Sequence, residues 1–172
     1  MFTTAAFESA WDYFRVVNGV GLRAVALLPE DKLDSHPIPN MRSPKDLVIH
    51  MYGTIVRSLM QGIVDGRIQD EDANERATAA RIKTRAELLA YCRSCWDDAA
   101  KIVAQLTDEQ INRKITTPWG HDWDGRIALR TSNHEYWHHR GQLYCYLRAL
   151  GVAPHSLYDT ANNEPEFAES HA

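Results

Sequence analysis

Three histidines fall within six residues near the C-terminal end of the chain: His134, His138 and His139, in the run NHEYWHHRGQL of residues 133–143. On a helix, residues three or four apart share a face. His134 and His138 have that spacing, and so do Glu135 and His138, and Glu135 and His139. Two imidazoles one turn apart can take adjacent positions on one divalent ion. A fourth histidine, His50, lies one turn after Leu47 and one turn before Thr54 on an apolar face of a different segment. An ion held by such residues lowers the pKa of a bound water or thiol and makes a nucleophile near neutral pH. A lone inward histidine is more often a hydrogen-bonded core residue, and a histidine cluster can be an exposed polar face. Three histidines flanked by Glu135 and Arg140 favour the metal reading. His36, His121, His155 and His171 fall in loops or tails and read as solvated.

The elements that must carry these residues read as helices. Apolar residues recur at helical spacing from Phe7 to Leu28, so a first helix is expected over Thr4 to Leu28, with Gly19 and Gly21 marking a bend or a close helix contact. Pro29 stops it, and a polar loop runs from Glu30 to Met41. Ser43 caps the second helix and Pro44 suits its first position. Its inner face reads Leu47, His50, Met51, Thr54, Ile55, Ser58, Leu59 and Ile63, and it ends near Gly62 or Gly66. The charged stretch from Arg67 to Lys83 reads as exposed and mobile, with a short helical turn at most. A third helix opens on the capping box of Thr84 and Glu87 and runs to Leu106; Thr107 caps one further turn. Residues from Lys114 to Gly125 read as a loop with a short extended pair. The last helix runs from Asp124 to Leu150, where Gly151 supplies a left-handed stop and Pro154 prevents continuation. The expected organisation is one domain over residues 1–160 and a flexible acidic tail over 161–172.

Within the last helix two apolar stripes disagree by one residue. The downstream stripe of Leu143, Tyr146, Leu147 and Leu150 extends back through His139, Glu135 and Ser132, while the upstream stripe of Ile127 and Thr131 extends forward to His134 and His138. A π-bulge inside the cluster would absorb the slip and stack His134 on His139. A regular helix pairs Glu135 with His139, or His134 with His138.

Composition excludes several classes. With 19 basic and 23 acidic residues, a net charge of −4, there is no electrostatic footprint for nucleic acid or for an anionic membrane surface. No stretch reads as an apolar run of the roughly 20 residues a spanning helix needs, and the N-terminus does not read as a signal peptide. Three cysteines are too few for a disulfide scaffold, which points to the cytoplasm. Cys92 and Cys95 form a CxxC in mid-helix rather than at a helix N-terminus, and read as core residues. Trp137, Tyr144 and Tyr146 with Arg140 and Arg148 could line a substrate pocket, although packing against partner helices is the plainer reading. No Ser-His-Asp order, phosphate loop or dinucleotide fingerprint is present. A homodimer is compatible with exposed bundle aromatics.

The run HHRGQLYCYLRALGV of residues 138–152 resembles the last helix of the DinB/YfiT-like superfamily, and the resemblance extends over Ser43 to Gly62 and over Thr117 to Gly120. It implies an all-α, up-down-down-up four-helix bundle with a three-histidine divalent metal site, zinc or nickel being the expected ions. The final ligand maps onto His139 and the first onto His50. The middle ligand maps four residues before the last, where this chain has Glu135 instead of histidine. That departure leaves the third ligand open among His134, Glu135 and His138; a two-histidine, one-carboxylate set is also workable. Relatives by resemblance include transferases and isomerases that use low-molecular-weight thiols. The expected activities are therefore thiol S-transfer to a small electrophilic substrate first, metal-assisted hydrolysis second, and a non-catalytic binding bundle with a structural metal as the rival class.

Overall fold

The computed structural model describes residues 1–170; His171 and Ala172, the end of the expected tail, lie outside the described residues. Four long helices form the bundle: α1 (Thr4–Ala26), α2 (Pro44–Asp65), α4 (Arg85–Val103) and α6 (Gly125–Ala149). Two shorter helices, α3 (Asp72–Arg81) and α5 (Asp108–Asn112), and a minimal antiparallel pair, Ile115–Thr116 with Asp122–Trp123, fill the connections. The all-α four-helix bundle expected from the sequence is the fold found. α1 packs on α4 and α6, and α2 packs on the same two helices, so α1 and α2 sit diagonally. The long connection from Leu27 to Ser43 spans that diagonal.

The starts were legible because caps are local. Thr3, Ser43, Thr84, Thr107 and Asp124 each accept a hydrogen bond from a backbone N–H of the first turn, and Thr84–Glu87 and Thr107–Gln110 close full capping boxes. Gly66, at φ 71°, ends α2 in the left-handed region, and Arg113 donates to the terminal carbonyls of Ile63 and Val64.

Of the two arrangements open for the last helix, a π-bulge or a regular helix, the regular one is found: α6 is α-helix throughout. The π-turns lie in the middle of α2, from His50 to Ser58, between α-helical ends Pro44–Ile49 and Leu59–Asp65. The i→i+5 bonding there shifts the facing of the helix. The Ile55 carbonyl accepts the buried Ser132 hydroxyl of α6 at 2.7 Å. On α6, Tyr136 meets both Phe14 of α1 and Tyr52 of α2, Arg140 donates to Val17 of α1, and His139 faces His50 of α2.

Three further expectations are corrected. α2 is long and apolar enough to cross a membrane by length and composition, contrary to the sequence reading; 67% of its most apolar window is buried in the bundle, the pattern of a core helix. The stretch from Arg67 to Lys83 carries the ten-residue helix α3, packed on α2. The residues after Asp159 fold back rather than fray. Phe167 is buried against Trp96, Arg15 donates to the Glu166 and Ala168 carbonyls, and Arg93 pairs with Glu164 and Glu166. One apolar anchor with two arginine clamps explains the order that composition concealed. Gly19 allows that return, since a Cβ there would lie 2.5 Å from the Phe167 Cβ.

Between α1, α2 and α6 lies a buried polar knot. Asn18 Oδ1 accepts from the hydroxyls of Tyr52 (2.9 Å) and Tyr136 (3.2 Å), which are themselves 2.9 Å apart. Gly21 makes the room: a Cβ there would fall 1.9 Å from the Tyr136 hydroxyl. Gly19 and Gly21 thus mark close approaches. Around the knot, Trp11 stacks on Trp96 at 4.5 Å, and Phe14 meets both Trp96 and Tyr136 edge-on.

Candidate metal site

His50 leaves α2 at the first π-turn, and His139 leaves α6 opposite it. Their rings lie 4.9 Å apart, nearly perpendicular. Two imidazoles sharing one ion through nitrogens at about 2.0–2.1 Å have centres roughly 5 Å apart at a tetrahedral angle, so the pair has the spacing of two ligands.

Each ring is held through Nδ1. His50 Nδ1 lies 2.6 Å from Glu75 Oε1, and His139 Nδ1 lies 2.8 Å from Gln142 Oε1. Both partners are acceptor oxygens, so Nδ1 carries the proton in each ring, and a neutral imidazole held this way offers its Nε2 lone pair to an ion. Burial pushes the His139 pKa down, and the neighbouring His50 and His138 push the same way against the hydrogen bond that His139 donates to Gln142. The neutral, ligating form is favoured.

Glu75 is the residue that sequence reading missed. It lies on α3, in the stretch expected to be exposed, and gathers three donors: His50, the Thr54 hydroxyl and Arg42 Nη1 at 2.7 Å. Burial raises its pKa, but these three contacts outweigh it and bring the value down to about 2. Arg42 is itself placed by Tyr146 of α6, whose hydroxyl donates to the Arg42 carbonyl at 2.8 Å. A signal was present: Glu75, Thr78, Ala79 and Ile82 repeat at i, i+3, i+4 and i+7, one helix face. Beside this corner is a cavity of about 360 Å³, lined by Arg42, Asp46, Ile49, Asp72, Glu75 and Arg76, among others.

The other expected ligands are placed differently. Glu135 is one turn before His139, with Oε2 at 3.7 Å from His139 Nε2 and its side chain 47% exposed. His138 is exposed, its ring 4.9 Å from that of His139. His134 is exposed on another side of α6, in a groove with Phe2, Tyr13, Arg126 and Trp137, away from the His50–His139 pair. Among the described residues, no three His, Cys, Asp or Glu side chains are grouped to hold an ion ready-made. The donor chemistry nevertheless fits a divalent ion: two imidazoles at ligand spacing, with a half-exposed carboxylate one turn away. Cys92 and Cys95 take no part; both are buried, and burial pushes the Cys95 thiol up to about 11.

Comparison with known proteins places the fold and the family. Residues 14–143 match the model of the DinB superfamily. Over 71 residues the chain is 31% identical to YjoA of Bacillus subtilis strain 168, an alignment covering 40% of this chain and 46% of YjoA, so the match spans about half the relative's length. The crystal structure of YjoA, a DinB-like protein, superposes with a TM-score of 0.67 at 22% identity, covering 87% of this chain and 95% of that one. YfiT of Bacillus subtilis, described as a probable metal-dependent hydrolase with an unusual four-helix bundle topology, superposes with a TM-score of 0.66 at 18% identity, covering 85% and 90%. At those identities the two structures speak to fold alone. The family model covers most of the chain, and the protein belongs to the DinB superfamily.

Proposed function

We propose that the protein is a metal-dependent enzyme whose ion is held by His50 and His139, with Glu135 as the third protein ligand. The observation that carries this reading is the juxtaposition of the two imidazoles at 4.9 Å, each anchored through Nδ1 by an oxygen acceptor. Each anchor holds Nδ1 as a donor, so Nε2 is the nitrogen that each ring offers to an ion. When bound, a divalent ion supplies Lewis-acid activation of a nucleophile. The chain's own residues do the rest. Glu75 orients His50 and keeps its proton on Nδ1, as carboxylates behind metal-bound histidines do. Gln142 performs the same service for His139. Glu135, when not ligating, is placed to accept a proton from a nucleophile beside His139.

Hydrolysis of a small substrate is the reaction we favour, supported by the likeness to YfiT. Thiol S-transfer is the second reading. The cavity beside Glu75, which mixes the cations Arg42 and Arg76 with the acids Asp46 and Asp72, suits a zwitterionic small thiol. Elemental analysis of purified protein tests the central claim: wild type holds one ion per chain, and His139→Ala or His50→Ala holds about a tenth of that or less. Equal metal content in all three ends the proposal. With metal in place, ester and amide substrates against thiol–electrophile pairs separate the two reactions.

A further inference from the structure

Arg140 follows His139 on α6 and, one residue round the helix, faces α1 instead of α2. Its side chain is fully buried. The guanidinium lies flat on Trp137, its carbon 3.9 Å from the ring centre, and Nη1 donates to the Val17 carbonyl at 3.2 Å. Nε and Nη2 have no acceptor among the described residues. The titratable groups that act on it are the phenols of Tyr136, Tyr144, Tyr52 and Tyr13, with no carboxylate among them. A guanidinium stays charged in proteins, and burying an unpaired charge costs several kcal/mol. The missing partner is an anion.

Arg140 forms part of the wall of a cavity of about 460 Å³ between α1, α6 and the returning C-terminal segment. That volume is typical of a small-molecule site. Val16, Val17, Val20, Trp137 and Leu157 give it an apolar lining. Its two carboxylates are already engaged: Asp12 pairs with Arg15 at 2.8 Å, and Glu169 accepts from the Thr160 hydroxyl at 2.7 Å. Two carboxylates in the lining disfavour a dianion there. A planar fork of two free N–H groups matches a carboxylate. The outer wall, residues 157–170, is held to α1 by Arg15, Arg23 and Asn163 and anchored by the buried Phe167.

We infer that this cavity binds a small organic monocarboxylate, with its carboxylate on Arg140 and its apolar body against Val16, Val20 and Leu157. The site is separate from the His50–His139 pair and does not depend on a metal.

The test uses the full chain in the presence of EDTA, with 3-phenylpropionate, its neutral amide and phenyl phosphate as probes. Binding is read from the Arg140 Nε–Hε resonance, Trp fluorescence and the shift in Tm. The expected result is saturable binding of 3-phenylpropionate at least about tenfold tighter than the amide and tighter than phenyl phosphate. Arg140→Lys loses about tenfold for the acid alone. Val16→Trp, which fills the cavity, abolishes binding while its far-UV circular dichroism and cooperative thermal unfolding persist, showing that the variant is folded. The inference is overturned if acid and amide bind alike, if phenyl phosphate binds best, if Val16→Trp binds as wild type does, or if nothing saturates by about 20 mM. Because metal is chelated throughout, these outcomes leave the metal reading untouched.

Discussion

The two faces of α6 handle charge in opposite ways. On the face toward α2, the Nδ1 groups of His50 and His139 are both matched: Glu75 takes three donors and Gln142 takes the His139 proton. On the face toward α1, Arg140 is buried with a single hydrogen bond. The first face is partly open and holds its imidazoles in fixed tautomers. The second is closed under aromatic rings and keeps a cation without a counter-ion. A helix turns 100° per residue, so consecutive side chains serve two unrelated sites. The matched face is built to hold its groups still, whereas the unmatched face has an unfilled requirement for an anion.

Acid should break the matched face most strongly. The folded pKa of Glu75 is depressed to about 2 from an ordinary 4.5. Its stabilisation is therefore fully present above about pH 4.5 and is lost as pH falls toward 2, at most about 3 kcal/mol. His139, also depressed, acts in the same sense but earlier, below its ordinary 6.5. Urea unfolding of metal-free protein from pH 7 to 3 should show the Glu75 component, and Glu75→Gln should lack it. Equal pH dependence of the two proteins would show that Glu75 is not held as a charged hub.

The second effect concerns the face toward α1. Gly21→Ala places a methyl against the Tyr136 hydroxyl and should cost about 2 kcal/mol by overpacking. Adding Tyr136→Phe removes the clashing oxygen and should restore part of that loss. A double variant less stable than either single change would mean that the Asn18–Tyr52–Tyr136 knot outweighs the clash.

Next in size, Glu75→Gln should weaken metal binding about tenfold while leaving the ligands in place, the effect of losing a carboxylate behind a histidine. Titration of zinc into the metal-free variant measures it, and unchanged affinity would separate Glu75 from the site. The smallest expected effect sharpens the geometry: His134→Ala should change metal affinity by less than about twofold, because His134 lies in the groove with Phe2 and Trp137. A large loss would restore the stacked arrangement that a bulge in α6 would have given.

The helices and their starts were written locally. Ser43 with Pro44, and Thr84 with Glu87, satisfy orphan N–H groups within three residues, so short-range pattern suffices to see them. The pairing of His50 with His139 was also legible, through helix phase and the resemblance of residues 138–152. Neither Glu75 nor the return of Phe167 could be read the same way. Each is a polar or acidic segment ordered by partners far along the chain, His50 and Arg42 for one, Trp96 and Arg15 for the other. The location of the π-turns was likewise undecided by sequence, because a one-residue slip can be absorbed by either of two facing helices. Packing placed it in α2, where the Ser132 hydroxyl satisfies the Ile55 carbonyl. Sequence alone determined which residues could do chemistry and which helices carry them. Tertiary structure decided which faces meet, because helix rotation, long-range hydrogen bonds and burial are set by the neighbours.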